Sequence, residues 1–78
     1  MYSMQWKNVA KGILKSELAK RNISYVELAK KLKEMGIDEN AENINNKINR
    51  GTFSTIFFLQ CLKAIDCKII RLEDLVVL

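Results

Sequence analysis

No proline interrupts this chain, and its three glycines stand far apart, at positions 12, 36 and 51. Proline and glycine are the strongest local breakers of helix and strand, so long stretches here are free to run as regular structure. Within those stretches apolar residues recur at steps of three and four, the spacing of an amphipathic helix. With 78 residues and 49% hydrophobic content, the chain is too apolar to be disordered. It is also near the lower limit for burying its own core, since a domain of this size hides only about 60% of its unfolded surface. The expectation is one compact all-α domain over residues 1–78, a bundle of four to five short helices.

A first helix is expected over about 4–21, with Trp6, Val9, Ala10, Ile13, Leu14 and Leu18 as its buried stripe. Lys7, Lys11 and Lys15 fall one turn apart on another face, either solvated or suited to phosphates. A second helix, about 25–35, has the sharpest start signal. Ser24 and Glu27 form a capping box, and Ile23 and Leu28 sit where a hydrophobic staple closes. Leu28, Ala29, Leu32 and Met35 face inward, Lys30, Lys31 and Lys33 outward, and Gly36 ends the helix.

After the acidic link Ile37-Asp38-Glu39-Asn40 comes NINNKINRG, residues 43–51. Asparagine is a mediocre helix former. Even so, Asn40 as N-cap, the stripe Ala41, Ile44 and Ile48, and the stop at Gly51 argue for a third helix over about 41–49. A fourth, about 54–66 and capped by Ser54 or Thr52, is apolar nearly all round, which marks it as a buried central post. Its phenylalanines belong to the core. The tail 67–78 suits a short helix or a strand, and its apolar end suits a dimer contact.

The run Asn22-Ile23-Ser24-Tyr25-Val26-Glu27-Leu28-Ala29-Lys30-Lys31-Leu32 resembles the opening of the helix-turn-helix in lambda-repressor-like (Cro/Xre-type) DNA-binding domains. There a small capping residue is followed, four positions on, by Leu-Ala. A helix ending in Arg50-Gly51, then a hydrophobic helix, looks like the same family, and NRGTFSTIFFLQCLKAI looks like a short uncharacterised bacterial subgroup of it. The resemblance covers about residues 13–76. It implies that the second and third helices form a helix-turn-helix, although Lys33, Glu34 and Met35 precede Gly36 and lengthen the turn.

On that reading the third helix meets base edges. Asparagine presents an acceptor and a donor together, the pattern that matches adenine N7 and N6. Asn43, Asn46 and Lys47 are expected in the major groove, with Arg50 on a guanine or a phosphate. Glu42 near the helix start answers the helix dipole and could also accept from cytosine N4. Phosphate contacts are expected from Ser24 and Tyr25 at the start of the second helix, from Lys30 and Lys31, and from Thr52. Two plain alternatives stay open. The asparagines can be ordinary solvated side chains, and Tyr25 can be a half-buried core residue.

Charge agrees with a polyanionic partner. Residues 1–33 carry eight Lys/Arg against two acids, residues 34–50 two against four, and residues 51–78 three against three. There is no His, and Cys61 and Cys67 form no CxxC, so ordinary zinc sites and a Cys–His nucleophile are excluded. No glycine-rich phosphate loop is present, and the expectation is a non-catalytic protein without cofactor, metal or small-molecule substrate. The start MYSMQWKN lacks the order of a secretory signal, and no apolar run approaches a membrane span. A cytoplasmic protein with two free thiols is expected, not one that binds membranes. The leading expectation is a sequence-specific double-stranded-DNA-binding transcriptional regulator acting as a homodimer. The alternative is a protein-interaction module, an antitoxin or phage-associated adaptor with a partner such as a toxin, that keeps the helix-turn-helix fold without reading DNA.

Overall fold

The computed structural model of the chain describes residues 2–72. Among the described residues there are four helices and no strand, a small all-α bundle. They are α1 (Tyr2–Lys20), α2 (Tyr25–Glu34), α3 (Ala41–Arg50) and α4 (Thr55–Ala64). Both α3 and α4 pack on α1 and on α2. At their common meeting place Leu14 and Leu18 of α1, Leu28 and Leu32 of α2, Ile44 and Ile48 of α3, and Phe57, Cys61 and Leu62 of α4 are buried together with Ile65.

Side-chain caps start three of the helices. Ser24 Oγ accepts from the Glu27 N–H at 3.2 Å, Asn40 Oδ1 from the Asn43 N–H at 2.8 Å, and Ser54 Oγ from the Phe57 N–H at 3.0 Å. Each satisfies a backbone donor that has no partner within its own helix.

Three of the helix ends share one device, a Schellman motif. The N–H of Ile23 donates to Leu18 O at 2.9 Å, that of Ile37 to Leu32 O at 3.0 Å, and that of Cys67 to Leu62 O at 2.9 Å. Each motif needs one residue in the left-handed region: Asn22 (φ 55°), Gly36 (φ 81°) and Asp66 (φ 59°). Asn and Asp tolerate that region better than other residues with a Cβ. The apolar residue after each reversal, Ile23, Ile37 or Cys67, folds back against the core.

Three expectations about packing are corrected. The central post α4 is not enclosed: Ile56 is 69% and Leu59 57% exposed. Its neighbours α1 and α2 take the side bearing Phe57, Cys61 and Leu62, and among the described residues no third helix covers the other. In α1 the stripe is split. Leu14 and Leu18 enter the core, while Val9 and Ile13 lie half-buried in a groove bordered by Ile69, Ile70 and Arg71, and Trp6 is 56% exposed. Met35, expected inward, caps the end of α2 and is exposed, because the chain has already begun to reverse there. Residues 67–71 form neither helix nor strand, and the apolar last four residues of the 67–78 tail, where the dimer contact is expected, lie outside the described residues.

Among the described residues no helix is long and apolar enough to cross a membrane.

Candidate nucleic-acid interface

The candidate surface is built around α3, which divides cleanly into two sides. Ile44 and Ile48, four residues apart, are fully buried. Glu42, Asn43, Asn45, Asn46, Asn49 and Arg50 are all exposed. A helix with four asparagines, poor helix formers, holds because burial of two isoleucines, an Asn cap and a Gly stop act on it together. Ile44 and Ile48 together contribute on the order of 3–6 kcal/mol by area removed from water.

The C-terminal end of α3 is pinned to α1. Gly51 is buried and left-handed, at φ 69°. A Cβ built there would stand 2.7 Å from the carbonyl oxygen of Lys7 and 3.1 Å from Lys7 Cβ, so only a glycine admits α1 this closely. One turn along α1, Lys11 Nζ donates to the carbonyl oxygen of Asn49 at 3.3 Å. That carbonyl belongs to the last turn, where helix oxygens lack internal partners and the dipole favours a cation.

The expected base-reading residues are not all equally available. Asn43 and Asn46 are exposed, and Arg50 is exposed with its Nε donating back to Asn46 O at 3.4 Å. Lys47 differs from expectation. Its ammonium is bonded to Glu39 and lies 5.0 Å from the centre of the Phe57 ring. The Glu39 side chain is only 7% exposed, so this pair is shielded on the acid's side, and the ring's negative face adds to the hold on the cation. The sequence placed Lys47 on the wet side because helical spacing says nothing about an acid arriving from the preceding link. Conversely, Asn45 and Asn49 form a side-chain pair, Asn49 Nδ2 donating to Asn45 Oδ1 at 2.7 Å, which four-residue spacing could have flagged.

The expected phosphate-binding residues fall in separate places. Ser24 is exposed at the start of α2, and with Lys15, Leu18, Ala19, Ile23 and Tyr25 it lines a shallow cavity of about 390 Å³. Tyr25 is half-buried and packs against the core, and burial raises its phenol above its ordinary value. Lys30 is exposed on α2, and Lys31, half-buried, is next to it in sequence. Thr52 lies with Lys47, Arg50, Phe53, Ser54 and Phe57 around a second depression of about 270 Å³ where α3 hands over to α4. Phe53 and Phe58 stack there, ring centres 5.9 Å apart.

Both cysteines are free, and burial pushes the Cys61 thiol up to about 12, far from a reactive thiolate. Among the described residues no group of three His, Cys, Asp or Glu side chains could hold a metal ion. What the surface offers is hydrogen-bond donors and acceptors from asparagines, flanked by cations.

The chain belongs to the family described as a domain of unknown function (DUF6471), whose model matches residues 6–70, from Trp6 in α1 through all of α4 to Ile70. No curated protein and no solved structure matches it.

Proposed function

We propose that this chain is a small, non-catalytic, sequence-specific double-stranded-DNA-binding protein, a cytoplasmic transcriptional regulator acting as a homodimer on a two-fold site. One observation carries the reading: α3 buries two isoleucines and turns a face of asparagines to solvent, with no helix among the described residues packed over it. The resemblance of residues 22–32 to lambda-repressor-like domains supports it, as does the packing of α3 on α2.

In this proposal Asn43 and Asn46 pair with adenine edges, and Arg50 meets a guanine or a phosphate. Lys47 joins them only by leaving Glu39, so its share is the smallest of the four. Ser24, Lys30, Lys31 and Thr52 contact phosphate, and Tyr25 holds the start of α2 against the core. No cofactor is needed.

The test is a titration into a library of duplexes at two salt concentrations. Absence of binding, or binding blind to sequence, sinks the proposal. With binding established, Asn46→Ala is expected to relax preference at one base pair and to cost about 1–3 kcal/mol there. In a dimer on one face of the duplex, the two α3 helices are expected about 34 Å apart.

A second reading is a protein-interaction module, an antitoxin or adaptor with a protein partner. The exposed Ile56 and Leu59 on α4 favour it, since they offer an apolar surface that the bundle leaves uncovered. A partner that covers α4 while leaving the asparagine face of α3 without effect on binding would select it.

A further inference from the structure

Lys7, Lys11 and Lys15 stand one turn apart on α1, a row spanning roughly 12 Å at 1.5 Å per residue. The fold gives each a different neighbour. Lys7 carries the backbone against which Gly51 closes. Lys11 reaches the last turn of α3 through the Asn49 carbonyl. Lys15 lies at the cavity with Ser24 and Tyr25, where α2 begins. The row therefore runs from the C-terminal end of α3 to the N-terminal end of α2.

None of the three takes part in an ion pair among the described residues. Glu17, the only acid in α1, is held by Lys20 and Arg21 instead. Three like charges at four-residue steps repel one another. A polyanion laid along the row removes that repulsion and releases its own counterions.

We infer that the row Lys7–Lys11–Lys15 is a phosphate track for the backbone of duplex DNA, beside the asparagine face and independent of base sequence. It adds three residues of α1 to a surface otherwise made from α2, α3 and the turn after it. A nucleic-acid backbone fits better than an anionic membrane. Membrane-surface helices insert apolar side chains beside their cations. Here Trp6 sits roughly 100–180° around the helix from the three lysines, and Val9 and Ile13 turn to the groove bordered by residues 69–71. A single strand fits less well, since such sites stack bases on aromatic rings, and the aromatic beside Lys15, Tyr25, is half-buried.

The inference rests on the proposed function for its class of partner but not for base reading. The full chain is titrated with random-sequence duplex over a series of salt concentrations. Lys7→Ala/Lys11→Ala/Lys15→Ala is expected to lower the slope of log K against log salt by about 2.7, from about 0.9 per phosphate neutralised. The triple Arg variant is expected to keep the slope. Removing three lysines elsewhere, at Lys33, Lys63 and Lys68, is expected to leave it nearly unchanged, and an equal loss there overturns the track as mere bulk charge. Lys11→Ala removes a contact to α3, so folding of each variant is followed by helicity. Lys7→Ala and Lys15→Ala singly, each expected to lower the slope by about 0.9, keep the test open if the triple variant unfolds. Binding to phosphatidylserine vesicles in place of duplex, lost with the same lysines, overturns the choice of partner. Sequence-blind duplex binding that depends on the row upholds the track and refutes base reading. Sequence preference with an unchanged slope in the variants does the reverse.

Discussion

Gly51 and Gly36 both sit just past a helix with positive φ, at 69° and 81°, yet they answer to different demands. Around Gly36 a Cβ would meet nothing within 4 Å, whereas at Gly51 it would meet the Lys7 carbonyl oxygen at 2.7 Å. Gly36→Ala is therefore expected to cost the left-handed strain alone, about 1–2 kcal/mol. Gly51→Ala adds overpacking against α1 and is expected to cost about 2–5 kcal/mol in all. Denaturant melts of the two variants check the difference, and equal losses would remove the close approach of α1 as a reason for Gly51. Both glycines were legible in the sequence as helix stops. The second role of Gly51 was not, because nothing local announces which backbone will come to lie against a turn 44 residues away. For the same reason Asn22 and Asp66 passed unread: an Asn or Asp in the left-handed region looks, in sequence, like any polar loop residue.

At the scale of elements, α2 and α3 were both readable from their caps, and for α3 the cap matters more. It is a ten-residue helix with four asparagines, so its own propensity contributes little. Asn40 offsets part of that deficit by accepting from the Asn43 N–H at 2.8 Å. Asn40→Ala is expected to lower stability by about 1 kcal/mol, with Asn40→Asp or Asn40→Ser close to the native value. Urea unfolding of the three variants measures this, and an unchanged midpoint in Asn40→Ala would show that the two buried isoleucines hold α3 unaided. In α4 the pattern misled. An element apolar on every side reads as buried on every side, but burial also requires enough neighbours. With only α1 and α2 against it among the described residues, α4 buries Phe57, Cys61 and Leu62 and leaves Ile56 and Leu59 exposed.

Across the whole molecule, Glu17 joins parts that no helix-by-helix reading connects. Its carboxylate accepts from Arg21 at 2.7 Å and from Lys20 at 3.1 Å, and the Cys67 thiol, fifty residues on, lies 3.7 Å from it. The Arg21 guanidinium, then Lys20, hold its carboxyl below the ordinary value of 4.5. A carboxyl whose folded value is lowered adds stability at pH above its unfolded value and loses it as pH falls through the folded one. Wild-type stability is therefore expected to drop as pH falls below about 4.5, and Glu17→Gln to be less stable at neutral pH with a shallower acid loss. Denaturation midpoints between pH 3 and 7 decide it, on the basis of that linkage. Parallel pH curves for the two proteins would mean that the Glu17 contacts carry no net stability.

What the sequence determined by itself was local in origin: the all-α class, the helix starts at Ser24 and Asn40, the stops at Gly36 and Gly51, and the dry side of α3 at Ile44 and Ile48, while the structure chose Ser54 over Thr52 as the cap of α4. Caps, stops and periodicity act over four or five residues, so they are written in adjacent letters. The tertiary structure alone decided which polar side chains remain available. It engaged Lys47 by bringing Glu39 and Phe57 to it, set Lys11 on the end of α3, and left Trp6, Ile56 and Leu59 exposed. Those outcomes depend on which elements meet, and two helices of the same pattern differ in them as soon as their neighbours differ.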